Sequence, residues 1–595
     1  MGGGEAGAQE PRVEGAERGE RRLASRGCIV LAALLLTLLN ASKPLTVDDT
    51  AYHAYAAQIA QHPLDPYGFE IFWGERPQPA FEVLAAPLLP YWWAGAIRLF
   101  GDRPVLWKLW LFPFALLLAA SLHALLARFA AGIERPLLWL LILSPAVLPS
   151  FNLMLDVPAL ALSLASLSLF AGACRGDRFA RAVAAGLLAG LAVQTKQTSI
   201  TAVAALLAYG LLFARLRMAL LAAAVATAVF VGWELLMALR YGESHFLYAR
   251  AVRAGSLSLR GIGLLGLGFT SLLGGIAAAA APLGLLGLSG RRSLLAGSIL
   301  LGSLAFAVIP FFPAEPLPEL HMDPQLGEAP PEQLVFTALG CGVWLVAIAV
   351  SRRLLQAREG AAQPAGGVLS GAPLEDASRR IDLFLLGWLL IEVLGCYAIW
   401  TFLASRHLIH LAIVLLLLCG RAAAVRLSRE RDRRALCFVV AWGVGVGLLF
   451  FAADLSDALA QRDAVRRASE KLLELGADRE AESVWYLGHW GFQFYAESLG
   501  MQPVVPGISH LEAGDWLVVP DGVSRQSVWI PTGRVTREAL LESRSLWPWS
   551  SIPSLYAGPI PLRSQPEAQV VVRLYRVKRG FQASGPSSRP GPSEP

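Results

Sequence analysis

The sequence predicts a mainly α fold, a polytopic transmembrane helical bundle of about thirteen spans followed by a small C-terminal α/β extracytoplasmic domain. Three observations predict it. Of 595 residues, 55% are hydrophobic and only 16% charged, more apolar sequence than a soluble chain of this length needs. Runs of Leu, Ala, Val and Gly near bilayer length recur through residue 453. After 453 the composition turns charged, with short alternating apolar stretches.

Residues 1–27 are rich in Gly, Glu and Arg and predict a disordered cytoplasmic tail. The transmembrane domain is expected over 28–453. Its runs fall near 28–44, 105–128, 136–150, 157–173, 182–194, 198–214 and 218–240, then 262–290, 293–310, 334–351, 382–402, 408–420 and 435–453. The first is read as retained, because its Asn40-Ala-Ser-Lys43-Pro44 exit lacks a cleavage signature and many spans follow.

Arginine sets the expected orientation. Arg12, Arg18, Arg21, Arg22 and Arg26 precede the first run, and every second link after it is basic: Arg128/Arg135, Arg175/Arg178/Arg181, Arg215/Arg217, Arg291/Arg292, Arg352/Arg353/Arg358 and Arg421 to Arg434. The 311–333 link instead carries Glu315, Glu319, Asp323, Glu328 and Glu332. The alternation predicts a multi-pass protein of the plasma (inner) membrane, with a cytoplasmic N-terminus and the C-terminal domain outside. Only 241–261, with Arg250, Arg253 and Arg260, runs against it. The net charge of +6 is therefore topological and implies no nucleic-acid partner.

Residues 354–380 read as a flexible linker. The C-terminal domain is placed at 454–580, with a charged amphipathic helix over 457–480, strands at 483–487, 516–519 and 570–575, and a helix from Phe492 to Leu499. A disordered tail is expected at 581–595. The six cysteines read as small buried residues, without disulfide or zinc spacing.

Ionisable groups at membrane depth cost a few kcal/mol each on insertion scales, about 2.5–3.5, so each needs a partner or a task. Asp48 and Asp49 stand just past the first run, in the first outer loop, 45–104. Helical spacing puts Tyr52 on the Asp48 face and His53 on the Asp49 face. The plainer alternative is a helix start, with Thr46 as cap and the acids in the first turn. Asp156, in Leu155-Asp156-Val157-Pro158, reads equally as an N-cap or a functional acid. Lys196 sits in the polar break Gln194-Thr195-Lys196-Gln197, in a chain whose lysines are only Lys43, Lys108, Lys196, Lys471 and Lys578. An ammonium there suits a lipid phosphate, and snorkelling is the bland alternative. Arg406, at another outer end, suits bidentate phosphate binding. Glu234, inside an apolar run, is expected to pair with Arg240 or another cation.

At these residues the chain resembles the GT-C glycosyltransferases, the membrane family that includes protein O-mannosyltransferases and lipid A aminoarabinose transferases, and a bacterial subgroup of it. Asp48-Asp49-Thr50-Ala51-Tyr52 is similar to the family's acidic pair with its following Tyr, Leu155-Asp156-Val157-Pro158 to its T-D-x-P, Thr195-Lys196 to its TK, and Arg406 to Ile409 to its R-Y-L-L-P. His62 to Phe69 and Gly488 to Tyr495 look like the subgroup. Two departures stand out. The family's polar residue before Pro-Pro-Leu is missing from Leu84-Ala85-Ala86-Pro87-Leu88, and His407 and His410 replace Tyr and Pro.

The resemblance implies transfer of a sugar, with inversion, from a polyprenyl-phosphate donor to a lipid, glycan or protein acceptor at the outer face. Asp48 would act as base, with Asp49 and Asp156 orienting acceptor or water. Lys196 and Arg406 would bind the donor phosphate, and Tyr52, His53 and His407 would contribute weaker substrate contacts. No metal-ligand spacing demands a metal, although a divalent cation near the acids is compatible. A flippase of lipid-linked sugars and an inactive binding protein are the alternatives. A carrier, however, would place its charges at mid-membrane on interrupted helices.

Overall fold

Lipid offers no hydrogen-bond partners, so apolar chain must satisfy its backbone internally, and here it does so as helices. The structure is a computed structural model that describes residues 10–83, 86–176, 178–253, 259–289, 291–313, 330–356, 372–399, 402–427, 430–478, 480–521, 526, 528–545, 547–551, 556–565 and 568–585. Most of the acidic link, most of the 354–380 linker and most of the C-terminal tail lie outside the described residues.

Among the described residues nine helices are long and apolar enough to cross a membrane: Ala24–Ala41, Pro104–Phe129, Asp156–Gly176, Leu216–Tyr241, Arg292–Phe311, Pro331–Gln356, Asp376–Ile399, Ser405–Arg426 and Asp432–Glu474. The remaining expected runs are short or broken. Phe179–Thr195 and Gln197–Leu212 flank Lys196, Glu134–Ile142 is nine residues long, and Gly261–Ile276 meets Ala280–Leu288 at a 79° bend. The first helix extends back to Glu10, into the expected disordered tail.

Small residues let these helices approach closely. A Cβ at Gly274 would lie 2.0 Å from the Phe336 carbonyl oxygen, and one at Gly340 would lie 1.8 Å from that of Thr270. One continuous apolar core fills the bundle, while Leu220, Val231, Leu235, Leu236 and Leu239 stay exposed along Leu216–Tyr241. A soluble protein would not expose such a stripe; a multi-pass membrane protein turns it to lipid.

The largest departure from expectation is at residue 453. The last span and the amphipathic helix are one unbroken helix, Glu430–Glu474. The change from apolar to charged residues marks where its surroundings change, and helix propensity runs straight through. On its end sits a five-stranded sheet in the order 502–503, 484–486, 516–521, 570–577, 535–543. The 484–486 strand pairs parallel with both neighbours, and the 570–577 strand pairs antiparallel with both of its own. Helix Trp490–Ser498 packs beside Glu430–Glu474, with Phe492 and Ala496 in the domain's own core.

Cys174, Cys396 and Cys419 are buried as expected, but Cys341 and Cys437 are exposed on apolar helices. The Tyr241–Tyr248 stretch packs on Tyr67, Phe69 and Phe81, which puts the arginine-bearing 241–253 segment on the first loop's side of the bundle.

Candidate active site

The Asp48-Asp49 turn is shaped by strain. Val47 holds φ +44°, a conformation that a β-branched residue rarely adopts, and helix Asp48–Gln61 starts directly after it. Thr46 does not cap this helix. Its hydroxyl donates to Gln461 at 3.3 Å, while its backbone N–H donates to Asp49 at 3.2 Å. Asp49 also accepts from Asn152 Nδ2 at 2.5 Å. Its side chain is therefore turned inward and sealed, at 0% exposure. Burial pushes the Asp49 carboxyl up from its ordinary range, against the pull of Lys108 and Lys43.

Asp48 points the other way, into an ion pair with Arg406, and Asp156 pairs with Lys196. Segments far apart in sequence thus deliver two carboxylates and two cations to one place. The side chains are 17% and 11% exposed in the first pair, 4% and 15% in the second, taking Asp48 and Asp156 first. A narrow cleft lined by Ser150, Met154, Asp156, Arg406 and Tyr556 takes one residue from each pair. Both alternatives from the sequence are displaced here. Asp156 begins its helix but spends its carboxylate on Lys196, and Lys196 turns inward to that acid, so it does not snorkel.

Several polar atoms at this place have no hydrogen-bond partner among the described residues: Asp156 Oδ2, Arg406 Nε, Ser150 Oγ, Asn152 Oδ1 and His410 Nε2. Buried polar atoms are ordinarily satisfied, so the gathering sets this place apart from the apolar core around it.

Beneath the cleft is a second charged layer that the sequence reading missed. Lys43 pairs with Asp454 and donates to the Pro149 carbonyl at 2.7 Å, and both side chains are 0% exposed. Lys108 donates to the Lys43 carbonyl oxygen and is itself buried. Asp48, Asp49, Asp156 and Asp454 are thus matched in charge by Lys43, Lys108, Lys196 and Arg406, which makes the assembly neutral as a whole. The signal was in the composition, since three of the five lysines lie in or beside apolar runs. Tyr556, over the Arg406 guanidinium at 5.5 Å, carried no sequence signal at all.

The expected aromatic and histidine contacts divide. Tyr52 lies beside the cleft, packed with Val47, Met154 and Tyr556. Burial first, and then Asp48, push its hydroxyl well above the ordinary range. His53 instead stacks on Trp107 at 4.6 Å, with Phe494 edge-on at 5.4 Å. His407 packs on Phe402 at 4.7 Å with its Nδ1 3.3 Å from the Phe402 carbonyl oxygen. Those two rings wedge secondary structure together. Glu234 does not meet Arg240. It accepts from Ser244 Oγ and the Phe246 N–H, at 2.7 and 2.9 Å, while Arg240 reaches Asp65 at 3.5 Å. Among the described residues no group of three His, Cys, Asp or Glu side chains is arranged to hold a metal ion.

No protein-family model matches the chain, and no curated protein does either. Solved structures similar to it include the Archaeoglobus fulgidus oligosaccharyltransferase in complex with Zn and sulfate. That match has 13% identity and a TM-score of 0.44, covering 83% of this chain and 67% of that one. The archaeal oligosaccharyltransferase AglB from Archaeoglobus fulgidus, with an inhibitory peptide and a dolichol-phosphate, matches at 14% identity and a TM-score of 0.46, over 84% and 69%. ArnT from Cupriavidus metallidurans bound to undecaprenyl phosphate matches at 16% identity and a TM-score of 0.36, over 82% and 92%.

Proposed function

We propose that this chain is a GT-C-type membrane glycosyltransferase that moves a sugar, with inversion, from a polyprenyl-phosphate donor to an acceptor hydroxyl at the outer, periplasmic face of the inner membrane. The observation that carries this reading is the pairing of Asp48 with Arg406 and Asp156 with Lys196 around one cleft. A phosphate headgroup entering there offers each cation a better partner than a carboxylate that must share it. Arg406 can then leave Asp48 and grip the phosphate, which frees the Asp48 carboxylate.

The freed carboxylate takes the proton of the acceptor hydroxyl as that oxygen bonds to the anomeric carbon. The bond from that carbon to the phosphate oxygen breaks, and its electron pair leaves with the polyprenyl phosphate. Lys196 and Arg406 stabilise the negative charge that grows on the phosphate as the bond breaks. Asp49, sealed by Asn152 and the Thr46 N–H, is the less accessible acid. It holds the turn, and Asp48 acts.

The bent pair Gly261–Ile276 and Ala280–Leu288 is the kind of interrupted helix on which a carrier binds its ion. It contains no Asp, Glu, Lys or Arg, and the paired charges gather instead at the Asp48 end of the bundle, where an acid for proton transfer and cations for a phosphate stand together. Purified protein incubated with labelled polyprenyl-phosphate sugars tests the proposal. New glycoside supports it; lipid movement without glycoside, or binding alone, overturns it.

A further inference from the structure

The outer domain's sheet contains an anomaly of connection. Strands Val535–Ser543 and Val570–Val577 are antiparallel neighbours. A tight hairpin would join them with roughly two to five residues. Here the chain runs from 544 to 569, and its described residues dive into the membrane bundle. Trp549 Nε1 donates to the Phe306 carbonyl at 3.0 Å, and Ser564 Oγ to that of Pro310 at 3.4 Å. Ile560 and Leu562 belong to the bundle's core, and Pro561 packs on Gly275, where a Cβ would come within 2.6 Å of it.

Two anchors bracket Tyr556 within this strap. On one side Asp457, on the long helix, accepts from Ser550 Oγ at 2.9 Å, from the Ser551 N–H at 2.8 Å and from Gln569. On the other side the Gly558 N–H donates to the Leu403 carbonyl at 2.7 Å, three residues before Arg406. Between the anchors the Tyr556 ring, 4% exposed, faces the Arg406 guanidinium at 5.5 Å, and the two residues line the same cleft as Asp156. The domain also braces the acidic turn. Gly491 abuts Leu45 and Thr46 so closely that a Cβ there would sit 2.9 Å from the Leu45 carbonyl oxygen. Tyr495 OH accepts from the Leu45 N–H at 2.9 Å.

We propose that the C-terminal domain is a working part of the phosphate site, with Tyr556 as a positioning residue whose ring holds Arg406 toward the cleft and Asp457 as the anchor that holds Tyr556. The proposal rests on the reading of Arg406 as a phosphate ligand. An aromatic face attracts a guanidinium without competing for its N–H donors, so Arg406 stays in place while its hydrogen bonds pass from Asp48 to a phosphate. A carboxylate in the position of Tyr556 would compete for those donors, and an aliphatic side chain would let the guanidinium wander.

The test measures binding of undecaprenyl phosphate, without sugar, to the full-length purified protein. Tyr556→Leu is expected to weaken binding by roughly 2- to 30-fold, the range of one cation–π contact. Asp457→Asn should weaken it in the same direction, and Tyr556→Phe, which keeps the ring, should restore wild-type binding. Glu482→Gln, far out on the sheet, serves as the control for general loosening of the domain. Equal binding by Tyr556→Leu and wild type overturns the proposal, as does equal weakening in Glu482→Gln. A second arm separates this proposal from the function it rests on. If wild type itself does not bind the lipid phosphate, the glycosyltransferase reading fails. Phenylglyoxal labelling of Arg406, read by peptide mass spectrometry, then decides the role of Tyr556. Faster labelling in Tyr556→Leu sustains it, and equal rates overturn it.

Discussion

Two kinds of ion pair lie at the same end of this bundle, built from the same residue types. Lys43 and Asp454 are sealed on both sides, whereas the Asp48–Arg406 and Asp156–Lys196 pairs face a cleft. Asp454 and Asp156 each keep one carboxylate oxygen without a partner among the described residues, but only Asp156 is a lining residue of the cleft. The difference teaches that access, rather than chemistry, divides their labour. The inner pair clamps the exit of the first apolar helix to the long helix Glu430–Glu474. In the proposed mechanism the outer pairs exchange their partners for a phosphate.

The comparison breaks most sharply at Asp48. Asp48→Asn is nearly isosteric but cannot accept a proton, and loss of a general base typically costs ~10²–10⁴-fold in rate. Steady-state turnover should fall by that much in protein that purifies as wild type does. Near-normal turnover would return Asp49 to consideration as the base.

The inner pair predicts a loss of stability. Removing one partner of a buried pair costs about 3–5 kcal/mol, because the other charge is stranded, whereas replacing both by apolar residues is often neutral. Lys43→Met alone should therefore lower the thermal midpoint in detergent strongly, and Lys43→Met with Asp454→Leu should recover most of it. Equal loss in the single and double variants would mean that the pair does not work as a unit.

Lys196 falls between these cases. Lys196→Gln should weaken the donor interaction roughly 10- to 150-fold, the range of a charge-assisted contact of about 1.5–3 kcal/mol. Lys196→Arg should rescue it partly, since a planar fork does not replace a point charge. Part of the loss in Lys196→Gln will reflect an unpaired Asp156. The double variant with Asp156→Asn separates the two effects, regaining stability but not donor affinity.

The smallest effect lies in the C-terminal sheet. Hydrogen bonds from Arg576 hold the Glu482 carboxyl down, from an ordinary value of 4.5 to about 2. A depressed acid stabilises the fold above its unfolded pKa and loses that contribution as pH falls through the folded one. The protection factors of the 570–577 strand, exchange rates taken relative to the intrinsic rate at each pH, should fall between about pH 4.5 and 2 in wild type, and this pH dependence should shrink in Glu482→Gln. An unchanged profile would show that the pair contributes nothing there.

The outer layer was legible in the sequence because Asp48, Asp156, Lys196 and Arg406 each break an apolar pattern at a run's end. The inner layer was not. Lys43 lies at the exit of the first run, Lys108 inside a long run and Asp454 just past the last one, and none of the three was singled out as a site residue. Burial, which distinguishes these residues, depends on which runs pack together, and periodicity does not reveal that. The helix from 430 to 474 was hidden for a related reason, since a change of solvent looks like a change of element. His53 and His407 stood out by their proximity in sequence to the acidic pair and to Arg406, and the contacts the fold gives them are with Trp107, Phe494 and Phe402. Tyr556 lies so far along the chain that only the fold brings it to Arg406.

The exchange of Arg406 from carboxylate to phosphate is the centre of this account, and it makes an unusual demand. With Asp48 neutralised, the phosphate no longer competes for Arg406. Undecaprenyl phosphate should therefore bind Asp48→Asn more tightly than wild type, even though turnover has collapsed. Isothermal titration of the two proteins in the same detergent measures this directly. Tighter binding is the result the account predicts, and unchanged or weaker binding would contradict it.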